Sequence, residues 1–160
     1  MQLLRRGIAF GDHPPQALRY SVAYFFFRLT HEQFRKKSFG GRDKWGLVWP
    51  ALSEITVRIK RAQGWPYPER ILYQSGRLYR SLSPGKLGAG GAYQRPSQDQ
   101  VALLRYKSIQ VGTRVEYAAK HQYGKGKVPK RPFLPTEPWQ LSEAVYKGVH
   151  RYLRILFRAK

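Results

Sequence analysis

The four histidines are the side chains best suited to metal binding or acid–base chemistry, and they lie far apart in the chain: His13, His31, His121 and His150. None has a second histidine four residues away with an adjacent glutamate, as a zinc-binding protease helix requires. His121 is the only one inside a recognisable motif, and Glu116, five residues earlier, lies off its helical face. Two roles stay open for His121: a hydrogen-bonded residue at the base of a short helix, or a ligand or acid–base group.

Other catalytic patterns are missing from the sequence. Nine acidic residues are scattered singly, which does not favour a two-carboxylate hydrolase. Ser75-Gly76 lacks the flanking residues of a nucleophile elbow, and the glycines of Pro84–Gln98 have no helix signal after them, as a nucleotide-binding loop would. Zero cysteines exclude disulfides and thiolate metal sites. We therefore expect no enzyme activity, no cofactor and no metal site.

Periodicity predicts the elements that hold these residues. Apolar spacing predicts a helix over about Gln16–Phe34, and Ser53 is placed to cap a second helix over Glu54–Ala62. A short helix should begin near Gly76. Pro84–Gln98 is rich in glycine and predicts a flexible loop. A long helix is expected at about 137–157.

The region from Val101 to Val111 is apolar on both faces in its first half and alternates between apolar and polar residues from Ser108 onward. We predict one long strand here rather than a hairpin, because the assignment of Tyr106 to the strand leaves only Lys107 for a turn, and the tightest common hairpin loop needs two residues. Val101, Leu103, Ile109 and Val111 should then share one face. Together with the helices, this predicts a single α+β domain over residues 1–160, with a small, mostly antiparallel sheet flanked by helices.

The stretch from Ile109 to Leu134 is the most informative part of the chain. A short strand leads into a helical turn containing His121 and Gln122, which should end at Gly124. A basic loop follows, and Pro129 and Pro132 should keep the next segment extended.

Several motifs occur in a fixed order. They are Trp49-Pro50-Ala51-Leu52 with Thr56 and Lys60, Ile71-Leu72 with Ser75-Gly76-Arg77-Leu78 and Ser81, Val111-Gly112-Thr113, Tyr117-Ala118-x-x-His121-Gln122-x-Gly124, and Pro129-x-Arg131-Pro132-Phe133-Leu134. This series resembles the virion morphogenesis and tail completion proteins of Mu-like and P2-like tailed phages, over roughly Trp45 to Leu134. Departures from the family pattern are the long glycine-rich insert Pro84–Gln98 and the high basic content.

The resemblance implies a structural virion protein of the head–tail junction. Such a protein would close the tail and join it to the head around a DNA channel. It would be made in the host cytoplasm and would reside in the tail or neck of the virion. Its partners would be copies of itself in a ring, which we expect to be a hexamer, and neighbouring neck, tail tube and sheath proteins.

Two roles stay open for Arg131-Pro132-Phe133-Leu134. Phe133 and Leu134 could enter the core while Arg131 is solvated, or the extended segment could pair with a neighbouring subunit, with Arg131 facing an acidic group there. Under the second interpretation the candidate inter-subunit or partner contacts are Arg131, Phe133, Leu134, His121 and Gln122.

The net charge of +21, from 30 Lys and Arg against nine Asp and Glu, suits a polyanionic partner. That partner could be passing DNA, bound non-specifically, or an acidic protein ring. The candidate polyanion contacts are Lys125, Lys127 and Lys130, in the densest basic loop near the motifs. No membrane contact is expected, because the longest apolar run, Val22–Phe27, is far too short to span a bilayer.

Two further hypotheses stay open. The chain could be a basic, non-specific nucleic-acid-binding protein, or an inhibitor or adaptor that acts on a host protein.

Overall fold

The computed structural model describes residues 4–9, 15–87, 93–105 and 108–158, and the protein is a small α+β protein, as predicted, but with two antiparallel sheets where one was expected. A single 3-10 turn, Pro138–Leu141, precedes the last helix. The elements in chain order are β1 (Leu4–Ala9), α1 (Gln16–Ser38), α2 (Glu54–Ala62), α3 (Arg77–Ser81), β2 (Lys86–Leu87), β3 (Tyr93–Gln94), β4 (Gln100–Leu104), β5 (Ser108–Thr113), α4 (Ala118–Tyr123) and α5 (Ser142–Arg158).

Helix α1 runs through the centre of the molecule. Its aromatic residues Phe26, Phe27 and Phe34 are fully buried, together with Val22. The helix continues one turn beyond its predicted end at Phe34 and ends at Ser38. The residue that stops it is Gly40 and not one of the polar residues that follow Phe34. Gly40 has φ +76° and its N–H donates to a carbonyl of the last helical turn.

The main sheet has the order β1-β5-β4, and both pairings are antiparallel. The prediction of one long strand was wrong: β4 and β5 form a hairpin. Arg105 and Ser108 exchange both backbone hydrogen bonds, at 2.9 and 3.4 Å, as the closing pair of an antiparallel hairpin does, and residues 106 and 107 lie outside the described part of the chain. The prediction had assigned Tyr106 to the strand, which left only Lys107 for a turn.

The hairpin register also changes which residues share a face. Leu104 lies opposite Ile109 and Ala102 lies opposite Val111, and these four belong to or pack against the core beneath α1. Val101 and Leu103 therefore point to the other face of the sheet. The prediction that they share a face with Ile109 and Val111 was wrong, because it assumed one continuous strand.

The segment predicted as a flexible loop, Pro84–Gln98, contains a short ribbon. Lys86–Leu87 pairs with Tyr93–Gln94, and residues 88–92 lie outside the described part of the chain. The Tyr93 hydroxyl anchors the ribbon, because it donates to Gln100 Oε1 at 2.8 Å and accepts the Gly85 N–H at 2.9 Å. Glycine is required at position 85, since an added Cβ would lie 2.1 Å from the carbonyl oxygen of Gln94.

Helix α5 packs along α1 through a close approach of the two backbones. An added Cβ at Gly148 would lie 2.5–2.8 Å from three atoms of Val22, two of them backbone atoms. Ala144 is buried beside it and Leu141 packs against the core. The predicted C-terminal helix is therefore present, but its first turn is a separate 3-10 turn that begins at Pro138.

Candidate functional site

The Arg131–Leu134 segment is held inside the molecule by Gln122 of α4. Gln122 Oε1 accepts the backbone N–H groups of Phe133 and Leu134, both at 3.0 Å, and Gln122 Nε2 donates to the Leu134 carbonyl at 3.2 Å. All three bonds are buried, and Phe133 and Leu134 belong to the hydrophobic core. The glutamine thus satisfies backbone groups that no strand partner satisfies.

Arg131 is also turned inward, with 6% of its surface exposed. Its Nε and Nη2 donate to the Pro50 carbonyl at 3.0 and 2.9 Å, and Nη2 also reaches the Ala51 carbonyl at 3.1 Å. Its backbone N–H donates to the His121 carbonyl at 2.7 Å. Of the two roles left open by the sequence, the structure places Phe133 and Leu134 in the core, and it joins Arg131 to carbonyl oxygens of its own chain.

A buried ion pair fixes the other side of this segment. Lys37 Nζ lies 3.0 Å from Asp43 Oδ2 and donates to the Pro132 carbonyl at 2.8 Å, and Trp49 Nε1 donates to the same carbonyl at 2.9 Å. Burial lowers the pKa of Lys37, and Asp43 opposes that effect. The Trp-Pro motif and the Arg-Pro-Phe-Leu motif are therefore joined directly.

Beside these contacts lies a cleft of about 570 Å³. Helix α2 and the segment before it form one wall, the loop before α3 forms the second, and α4 with the following loop forms the third. The lining residues are Ala51, Leu52, Ser53, Thr56, Lys60, Leu72, Tyr73, Gln74, Tyr117, His121, Lys127, Pro129 and Arg131. Most of them belong to the ordered motifs found in the sequence, so motifs that lie far apart in the chain meet at one place.

None of the described residues that line the cleft is acidic. Lys60 is 8% exposed, and its Nζ donates to the carbonyls of Arg70 and Tyr73 at 2.8 Å each and of Tyr67 at 3.4 Å. Burial lowers the pKa of Lys60 and that of Arg131; both cations donate to backbone carbonyls, and the charge of Glu69, outside the cleft lining, partly opposes the effect on Lys60. The cleft therefore carries positive charge that no lining carboxylate offsets.

His121 lies on the third wall. Burial lowers the pKa of its imidazole, and the charges of Arg131 and Lys120 lower it further. Its ring stands edge-on to Tyr117, with 6.2 Å between centroids, and its buried Nδ1 has no hydrogen-bond partner within the described residues. Both effects favour the neutral imidazole over the protonated one, and a ligand in the cleft could reach the unpartnered Nδ1 only after the ring turns, because that atom is buried.

The second wall contains strained backbone. Leu72 has φ +53°, an uncommon value for a residue with a branched side chain. The neighbouring Arg70 guanidinium lies 3.8 Å from the Tyr73 ring centroid and 4.3 Å from that of Phe39. This stacking holds the loop, and with it the Lys60 carbonyl partners, against α2.

The three basic loop residues differ in position. Lys125, Lys127 and Lys130 are all exposed, on a turn closed by a bond from the Val128 N–H to the Lys125 carbonyl. Only Lys127 lines the cleft. Lys125 and Lys130 carry the same charge as Lys127 but lie outside the cleft, so they are suitable control positions for it.

Sequence analysis did not identify the interior position of Lys60. It lies within α2, whose other residues are half-buried or exposed, and helical spacing alone does not distinguish a solvated lysine from one that binds carbonyl oxygens. Its place in the ordered motif, four residues after Thr56, was the only available signal.

A second surface feature is an exposed apolar line on α5. Tyr146, Leu153 and Phe157 are 70%, 41% and 74% exposed, and they recur at helical spacing. Lys147 and Arg154 flank the line, and Lys147 pairs with Glu143 at 2.6 Å. Exposed apolar surface of this kind is typical of a protein that contacts others.

Within the described residues, no group of three histidine, cysteine or acidic side chains could hold a metal ion. The helices in that same part of the chain are all too short or too polar to cross a membrane. No family model, no curated protein and no solved structure matches the chain. The resemblance to tail completion proteins therefore rests on the ordered motifs alone.

Proposed function

We propose that this protein is a structural component of the head–tail junction of a tailed phage, where copies of it form a ring that closes the tail and joins it to the head. The observation that carries the proposal is the meeting of the ordered motifs. Trp49, Gln122 and Arg131 lock their segments together, and residues from four of the five motifs line a single cleft. A chance series of short motifs has no reason to converge in this way.

Two surface properties support an assembly role. The exposed line on α5 provides an apolar contact surface, and the net charge of +21 disfavours close contact between free copies until a partner compensates it. Ring formation by identical heterologous contacts needs two different complementary patches on each copy. The ring, its hexameric state and its neck and tail partners are parts of this proposal.

A first experiment examines the isolated protein. Light scattering after size exclusion at moderate salt, with nuclease-treated protein, should give the mass of an oligomer, alone or when purified tails are added. A protein that stays monomeric under both conditions would contradict the ring.

A second function is favoured by one observation, the net charge of +21. A non-specific nucleic-acid-binding protein would use that charge directly, with affinity that falls by a slope of about −0.9 per neutralised phosphate in a log–log salt plot. Sizing separates the two functions, because a simple nucleic-acid-binding protein changes size only when DNA is added.

A further inference from the structure

The cleft between α2, α4 and the loop before α3 contains positive charge that no carboxylate of its lining neutralises. Lys60 and Arg131 are both buried, and their hydrogen bonds go to backbone carbonyls of the same chain. A buried cation without an anionic partner costs free energy. An anion should therefore bind more strongly in the cleft than at an exposed lysine.

Several polar groups in the cleft are placed to bind such an anion. His121 Nδ1 is buried and has no partner among the described residues, and Lys127 stands at the rim with its ammonium exposed. Thr56 Oγ1 and Ser53 Oγ lie 2.9 Å apart at the start of α2, where the helix dipole is positive. The anion would thus meet donors from two walls of the cleft.

The shape and the apolar part of the lining select the kind of anion. Duplex DNA is convex and is held by exposed cations along a broad surface, whereas Lys60 and Arg131 lie inside a concave site. Leu52, Leu72 and Tyr117 also line the cleft, and they offer contact to aliphatic or aromatic groups but none to phosphate. A peptide with acidic and apolar side chains satisfies both parts of the lining.

We propose that this cleft binds an acidic peptide segment of a partner protein, with an Asp or Glu carboxylate beside His121 and Lys127 and an adjacent apolar side chain against Leu52 and Leu72. The carboxylate lies in the field of Lys60 and Arg131, which attract it through space while they keep their bonds to the backbone. The inference rests on the geometry of the cleft and does not depend on the head–tail role.

The test uses the intact protein and a peptide in which four glutamates alternate with three leucines. Binding is followed by two-dimensional NMR of the backbone amides and the histidine rings. A peptide with glutamine in place of glutamate controls for apolar binding, and a 12-base-pair DNA duplex and inorganic phosphate serve as competing anions. Two variants, Lys127→Glu and Lys125→Glu, change the charge equally on the same exposed turn, and only the first alters the cleft.

The peptide should shift the signals of His121, Thr56 and Leu72, and Lys127→Glu should weaken its binding about tenfold relative to Lys125→Glu. A bound carboxylate should also raise the pKa of the His121 imidazole, because it favours the protonated ring. The groups that already act on this ring are Arg131, Lys120 and Tyr117, and Lys127, Lys60 and Tyr73 line the same cleft.

Several outcomes would overturn the proposal. Equal weakening by the two variants would show that the peptide only meets the general positive surface. An unchanged His121 signal at saturation would place the peptide elsewhere. Displacement of the peptide from His121 by the duplex at lower concentration would make nucleic acid the better ligand, and an equal response to inorganic phosphate would show a simple anion site.

Discussion

Substitution of Gln122 by leucine tests whether one side chain holds the Arg131–Leu134 segment. The change keeps the approximate volume of the side chain and removes its hydrogen bonds. Two buried N–H groups and one buried carbonyl, those of Phe133 and Leu134, would lose their partner. Each buried group without a partner costs about 1–3 kcal/mol, so we expect a loss of roughly 3–6 kcal/mol after partial relaxation.

That loss is a large part of the 5–15 kcal/mol that is typical of a folded domain. Urea unfolding followed by circular dichroism measures it, with tryptophan fluorescence as a second probe because Trp49 contacts the same segment. Gln63→Leu is the matched control, since the side chain of exposed Gln63 makes one hydrogen bond within the described residues, from Trp65 Nε1, which water can replace. A free energy of unfolding for Gln122→Leu within about 0.5 kcal/mol of the control would refute the reasoning.

Three further predictions concern packing, pH and charge. Gly148→Ala should destabilise the protein by about 1–3 kcal/mol in spite of the better helix propensity of alanine, because the new methyl meets the backbone of α1; an unchanged melting temperature would contradict this. Burial and two neighbouring arginines lower the pKa of His31 below its usual 6.5, so the unfolded chain takes up more protons as the pH falls through that value. The free energy of unfolding should therefore be smaller at pH 5.5 than at pH 7.5, and this difference should be smaller in His31→Phe. A larger free energy of unfolding at pH 5.5 than at pH 7.5 would contradict the prediction. Reversal of Lys125, Lys127 and Lys130 to glutamate should impair joining of tails to heads and leave DNA binding intact if a protein is the partner, whereas no effect on either would show that the loop is only solvated surface.

Local signals in the sequence were sufficient to predict helix ends at which one residue type determines the backbone conformation. Ser53 caps α2 with a bond to the Thr56 N–H, Gly124 ends α4 with φ +72°, and both were predicted. The hairpin was missed because the prediction assigned Tyr106 to the strand, and the sequence between β4 and β5 contains no glycine or asparagine that would have indicated a turn. Register between strands is a tertiary property, and propensity alone does not fix it.

The cleft was beyond sequence analysis for a similar reason. His121 and Arg131 were chosen from their motif, but the inward direction of Arg131 depends on the carbonyls of Pro50 and Ala51, eighty residues away in the chain. The charge of the cleft depends likewise on Lys60, whose burial is set by the loop stacked around Arg70. Long-range contacts of this kind are visible only once the segments have been brought together.

If the chain is encoded by a tailed phage, as the proposed function requires, the most direct test is disruption of its gene in that phage, followed by electron microscopy of the lysate. The account predicts filled heads and separate tails, or tails of faulty length, with joining restored when the purified protein is added. Normal infectious particles in the absence of the protein would contradict a role at the head–tail junction.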